Sequence, residues 1–219
     1  MNDISANLSK IKKELPSYVK LVAVSKFHPV GMIEEALAAG QSVFGENRPQ
    51  EFEKKVLELR GRGIEWHFIG HLQTNKLKMV LPYADLVQSI DSLRLLEAVD
   101  DWGKKNDKVI PALLELHVAA EETKQGFYEE EILDVLFRAE SFKYVRFCGL
   151  MGMATNTDAE EDIRADFGRI KAFYDYLRDL FPELADFREL SIGMSGDWRI
   201  ALEYGATMVR IGTSIFGSR

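Results

Sequence analysis

A lysine at the exit of a buried strand is the first residue in this chain equipped for covalent chemistry. Leu21 to Val24 form a short apolar, β-branched run of the kind a buried strand needs; Ser25 and Lys26 interrupt it and Pro29 prevents its continuation. A lysine there either snorkels to solvent along its apolar stem or sits at a pocket mouth. In a pocket, desolvation lowers its pKa and readies the amine for Schiff-base formation. A second group lies near the other end of the chain, in GMSGD (193–197) and RIGTS (210–214). Ser195 and Gly196 stand at the start of a predicted helix, whose free N–H groups and dipole favour an anion. Gly212 permits close backbone approach and Thr213 adds a hydroxyl. Taken singly, Ser195 is equally well an N-cap and Gly212 a tight turn. His67 and His71 are a weaker cue. Spacing by four unites two ligands on a helix, but WHFIGH spans a strand and its loop, so no metal site is expected. His67 is expected to be packed and His71 alone to reach the mouth.

The elements that must position these residues alternate regularly. Strands are predicted at Leu21 to Val24, Ser42 to Gly45, Ile64 to Ile69, Asp85 to Ile90, Val109 to Val118, Val145 to Met151, Leu190 to Gly193 and Met208 to Gly212. Helices are predicted over residues 3–15 with Asp3 as N-cap, from Met32 to Ala39, Pro49 to Leu59, about Thr74 to Val80, after Asp91 or Ser92, and over Glu129 to Ala139, Ala159 to Leu180 and Asp197 to Tyr204. Eight strands separated by helices favour a single (β/α)8 TIM barrel over 1–219 with an extra N-terminal helix. A doubly wound open sheet is the alternative, but no GxGxxG follows any strand.

In such a barrel the C-terminal strand ends build the active face, and phosphate is commonly held by the loops after strands seven and eight. Here those ends carry Ser25-Lys26, Gly45-Glu46-Asn47, Gly70-His71, Ser89, the His117 region, Met151 to Ala154, Gly193-Met194-Ser195 and Arg210 to Thr213. Closure sets strand eight beside strand one, so lysine and anion site become neighbours. Pyridoxal 5′-phosphate (PLP) carries an aldehyde and a phosphate arm on adjacent ring carbons and matches that pair. Arg210 shares the inward parity of Gly212 and is expected to face the pyridine nitrogen. A guanidinium there keeps that nitrogen unprotonated and weakens the ring as an electron sink.

Composition excludes other classes. With 28 Lys and Arg against 35 Asp and Glu, the net charge of −7 argues against a nucleic-acid partner. The single cysteine, Cys148, cannot form an internal disulfide and reads as a small buried residue. No segment has signal-peptide or membrane-spanning character, so a cytoplasmic protein without membrane contact is expected. Glu129 to Glu131 read as a solvated helix start, and Phe167, Phe173, Tyr174 and Leu177 as packing.

The segments VAVSK, FGEN, HFIGHLQTNK, EETKQGF, SIGMSGDW and VRIGTSIFG resemble, in order from about Leu21 to the C-terminus, the pyridoxal-phosphate homeostasis proteins (the YggS/PROSC family). The resemblance implies a barrel of the alanine-racemase type with PLP joined to Lys26 as a Schiff base. It implies contacts from Asn47, Met194, Ser195, Arg210, Gly212 and Thr213, with Arg210 at the ring nitrogen. It also implies a carrier and regulator of PLP, passing it to PLP-requiring apo-enzymes, without established turnover. Arg48-Pro49, His117 to Ala120 and Met151-Gly152-Met153 depart from the usual family pattern. A racemase or decarboxylase of the same barrel type is the enzymatic rival. Such enzymes add a β-domain with a second acid–base residue, for which the sequence after Gly212 leaves no room. A phosphosugar enzyme is the other rival, because barrel phosphate sites serve many chemistries.

Overall fold

Asp3 sets the first turn: its carboxylate accepts a hydrogen bond from the Ala6 N–H and caps helix α1 (Ile4–Glu14). Ile4, Leu8 and Ile11 line the buried face of that helix at helical spacing. In this computed structural model residues 3–118 and 125–217 are described. Their strands are β1 (Lys20–Val24), β2 (Val43–Glu46), β3 (Glu65–Phe68), β4 (Leu86–Ile90), β5 (Ile110–Leu116), β6 (Val145–Gly152), β7 (Glu189–Ser191) and β8 (Met208–Ile211). They pair in parallel in chain order, and β8 closes on β1 through Ala23 opposite Ile211. The helices between them are α2 (Val30–Ala38), α3 (Pro49–Glu58), α4 (Leu77–Val80), α5 (Leu93–Asn106), α6 (Glu129–Leu136), α7 (Glu160–Leu180) and α8 (Trp198–Glu203). The expected TIM barrel with an added N-terminal helix is the observed architecture.

The strands are buried on both faces, as parallel strands flanked by helices must be, and alternation along them makes two layers. Ala23, Phe44, Phe68, Val87, Leu114 and Val209 join the large core between strands and helices. Val22, Val43, Leu86, Leu113, Cys148, Met151 and Met208 form a small separate cluster within the barrel. Much of the remaining interior is polar, with Glu115, Gln88, His67, Ser191 and Arg210 all buried. Register slips between β5 and β6, where Leu113 pairs with Gly149 and passes over Cys148. Gly149 has φ +145, and a Cβ there would lie 1.9 Å from the Glu189 carbonyl. Only glycine lets β6 pass β7 at that distance.

Two elements differ from the sequence expectation. The helix after β7 begins at Trp198 and has 6 residues, so Ser195 lies outside it. A short helix not anticipated from sequence, α9 (Thr213–Phe216), follows β8 directly. Four residues show no periodicity, which is why the sequence does not announce it. The N-terminal helix packs on α9, and Asn7 Nδ2 donates to the Ile215 carbonyl at 3.0 Å. No described helix is long and apolar enough to cross a membrane.

Candidate functional site

A cavity of about 730 Å³ opens at the C-terminal ends of the strands, and Lys26, Asn47, Met194, Ser195, Arg210, Gly212 and Thr213 all line it. His28, Gly70, His71 and Met153 complete much of its wall. Residues separated by nearly the whole chain meet because β8 lies against β1.

Lys26 leaves β1 on a loop held from both sides. The Ser25 hydroxyl donates to Glu46 Oε1 at 2.6 Å, and Lys55 Nζ donates to the Ser25 carbonyl at 2.8 Å. Lys55 also pairs with Glu46 and Glu51, each at 2.7 Å, and is itself only 4% exposed. Glu51 accepts the Phe27 N–H at 2.6 Å. Phe27 has φ +68, a left-handed conformation costly for a bulky residue and maintained only where surroundings enforce it. The Arg48 guanidinium lies 4.4 Å from the Phe27 ring centroid, and Pro49 opens α3. The Arg48-Pro49 departure thus builds the same loop support. Burial pushes the Glu46 carboxyl above its ordinary range, against the pull of Lys55. Glu46 was placed at a strand end from sequence, but Glu51 and Lys55 were not singled out. A glutamate inside a buried strand, with a lysine nine residues on, was the available signal.

Just beyond the end of β3, Gly70 lies so close to Asn47 that a Cβ would sit 2.1 Å from the Asn47 carbonyl oxygen. That approach presses the Asn47 backbone into place, and its side-chain Oδ1 is buried with no hydrogen-bond partner. Across the cavity, Ser195 caps no helix. Its Oγ accepts the Gly212 N–H at 3.2 Å and ties the two expected phosphate loops together. The N-cap position of α8 falls to Asp197, whose carboxylate accepts the Met194 N–H. Gly212 packs on Val24, where a Cβ would meet the Val24 carbonyl at 3.0 Å, and it precedes Thr213 at the start of α9.

Arg210 points inward, as its parity implies, and is 4% exposed. Nη1 donates to the carbonyl and hydroxyl of Ser191, both at 2.7 Å, and Nη2 to the Gly152 carbonyl at 2.9 Å. Burial lowers its pKa to about 10, which leaves it charged at neutral pH. Glu115 lies within electrostatic reach. Burial first, then Asp91, raise its carboxyl to about 7, while Arg210 opposes them. His71 stands at the mouth with Nδ1 2.8 Å from Asp91, whereas His67 is fully buried inside the barrel. His117 stacks edge-on to Tyr128. Ala119 and Ala120, with Glu121 to Lys124 of EETKQGF, lie outside the described residues.

The family model described as "Alanine racemase, N-terminal domain" matches residues 1–219. The pyridoxal phosphate homeostasis protein of Haemophilus influenzae is 36% identical over 92% of this chain and 85% of its own length. Its counterpart in Aquifex aeolicus is 38% identical over 91% of this chain and 87% of its own. PipY of Synechococcus elongatus, solved with PLP bound, superposes with a TM-score of 0.90 at 34% identity, covering 98% and 100% of the two chains. An alanine racemase from Bartonella henselae shares the fold, with a TM-score of 0.74 at 15% identity over 99% of this chain and 58% of its own. The chain belongs to the alanine racemase N-terminal-domain family, among the pyridoxal phosphate homeostasis proteins.

Proposed function

We propose that this protein binds PLP covalently through Lys26 and serves PLP homeostasis, holding the cofactor and releasing it to PLP-requiring apo-enzymes. The observation that carries the reading is one cavity lined together by Lys26, Asn47 and the joined Ser195–Gly212 loops. When bound, PLP supplies an aldehyde that an amine captures reversibly and a phosphate that anchors it. The clamp on Ser25 and Phe27 aims the Lys26 amine into the cavity. Ser195, Gly212 and Thr213 offer hydroxyl and backbone groups to the phosphate, beside a wall where strand eight meets strand one. Asn47 and Met194 border the ring, and Arg210 faces its nitrogen. The relatives named as homeostasis proteins and the PLP-bound PipY support the cofactor assignment.

A carrier is favoured over an enzyme because the Arg210 guanidinium keeps the ring nitrogen unprotonated, which limits electron withdrawal through the ring. We read the whole chain, 1–219, as one domain built on the barrel, and the protein as cytoplasmic. The test is PLP titration followed by borohydride. Wild type should gain a visible absorption band that borohydride bleaches, with the added mass on the Lys26 peptide, and Lys26→Ala should lose both. A band that persists in Lys26→Ala overturns the site. Sustained racemisation of amino acids by the loaded protein overturns the carrier role.

A further inference from the structure

Beneath the cavity, polar side chains form one connected line down the barrel. Arg210 Nη1 donates to Ser191 Oγ at 2.7 Å, and Ser191 Oγ donates to Gln88 Oε1 at 2.6 Å. Gln88 Nε2 lies 2.8 Å from His67 Nδ1, and His67 Nε2 lies 2.8 Å from Glu65 Oε1. Lys20 Nζ reaches the same carboxylate oxygen at 2.7 Å. Lys20 and Glu65 are the first residues of β1 and β3, so the line ends at the mouth opposite the cavity, where both side chains are 37% exposed.

The ends allow one direction throughout the line. Arginine has only donors. The His67 contact, with Lys20, holds the Glu65 carboxyl down at about 2, so at neutral pH it only accepts. Ser191, accepting from Arg210, passes its own hydrogen to the Gln88 oxygen. The Gln88 amide NH2 therefore faces His67 Nδ1, an orientation that also suits its contact with Met208 sulfur at 3.5 Å. In that arrangement His67 Nδ1 accepts, and Nε2 is the ring nitrogen that donates to Glu65. Ser191, Gln88 and His67 are buried, and each link satisfies groups that would otherwise be costly there. Filling the interior needs none of them, since Val22, Val43, Leu86 and Leu113 fill the same barrel without polar atoms.

We propose that Ser191, Gln88 and His67 are positioning residues for Arg210, and that Glu65 at the far mouth sets how strongly the guanidinium donates into the cavity. Bonds aligned head to tail polarise one another by roughly 10–30% each. A carboxylate at the end makes Ser191 a better acceptor and draws Arg210 toward it, leaving less donor strength for the ring nitrogen. That last partner rests on the PLP reading; the line itself does not.

Glu65→Gln keeps the shape and the accepting oxygen but removes the charge, while Ser191→Ala cuts the line at its first link. Both should capture PLP with wild-type stoichiometry by borohydride labelling. Both should move the visible band and its ratio to the near-ultraviolet band in the same direction, the remote variant less. Glu34→Gln, which removes a carboxylate paired with Arg62 on the outer surface, should leave the spectrum unmoved. All spectra are taken at one pH, so that Glu115 and Asp197, the other carboxylates acting on Arg210, contribute equally. Spectra of Glu65→Gln and Ser191→Ala that superimpose on wild type overturn the proposal. On ligand-free protein, ¹⁵N NMR should find His67 in a single Nε2–H tautomer that loses its fixation in Ser191→Ala. A wild-type Nδ1–H form or a tautomer mixture overturns the line whatever PLP does. Failure of wild type to take up PLP would instead sink the proposed function.

Discussion

Two basic side chains face the same cavity, and the contacts that support them differ in kind. Around Lys26 the restraints fall on its neighbours: Lys55, Glu46 and Glu51 grip Ser25 and Phe27, one residue to either side. At Arg210 the grip is on the head group itself, through three hydrogen bonds to Ser191 and Gly152. The Lys26 support is compact and ionic, made by β2 and α3. The Arg210 support runs on through neutral groups to the far mouth. The difference fits the chemistry we propose for each position. A capturing amine must shed a proton, and a clamp on the residues to either side fixes where that amine starts from. An arginine that orients a ring keeps its proton, and its planar fork is suited to being fixed at the tip.

Breaking the Lys26 support should have the largest effect. Lys55→Met leaves Glu46 and Glu51 facing each other with Glu46 fully buried, and should cost about 3–5 kcal/mol in denaturant unfolding. Adding Glu46→Gln should recover part of that loss, since the penalty is chiefly the stranded charge. PLP capture should also slow in Lys55→Met, because the loop no longer holds Phe27 in its left-handed turn. A Lys55→Met protein of wild-type stability would remove the clamp from the account.

Next in size is Glu115, which belongs to the Arg210 side. Its carboxyl titrates at about 7 when folded, against an ordinary 4.5. Between those values the folded chain holds a proton the unfolded chain has released, so stability falls as pH rises from about 4.5 through 7 and then levels. Glu115→Gln should leave stability unchanged near pH 4 and raise it near pH 8 by about 3 kcal/mol, at roughly 1.4 kcal/mol per unit of displacement. Unfolding curves at the two pH values read it directly, and equal shifts at both would contradict a titrating Glu115.

How much of this was legible in sequence depended on whether the cause was local. Alternating strands and helices, the Asp3 cap and the inward parity of Arg210 follow from short-range pattern, and each is found in the fold. The lining residues were reachable because a barrel dictates which strand ends face one mouth. Ser195 was placed at the start of a helix that begins only at Trp198, since nothing in GMSGD tells that its hydroxyl turns to Gly212 and not to the next helix. The line from Arg210 to Glu65 was invisible, because its partners come from strands far apart in the chain. The Lys55 clamp is more local, but Lys55 reads as one more exposed lysine of a charged helix and its pairing with Glu46 was passed over.

The smallest effect expected is the coupling between Arg210 and Glu115, and it measures the contrast between the two sides. Arg210→Met gives up three hydrogen bonds but also relieves the burial of a charge, and these oppose each other. PLP should still be captured by Lys26, with an altered spectrum. Arg210 holds the Glu115 carboxyl down, so in the Arg210→Met background that carboxyl should titrate above its wild-type value. Glu115→Gln should then stabilise more near pH 8 than it does in wild type, a coupling of about 1 kcal/mol in a double-mutant cycle. The matching cycle between Lys55 and Glu46, in direct contact at 2.7 Å, should give several times as much. Equal couplings would mean that both sides of the cavity rest on the same kind of local ion pair, and the division between an ionic clamp around Lys26 and a neutral hydrogen-bonded line behind Arg210 would fall.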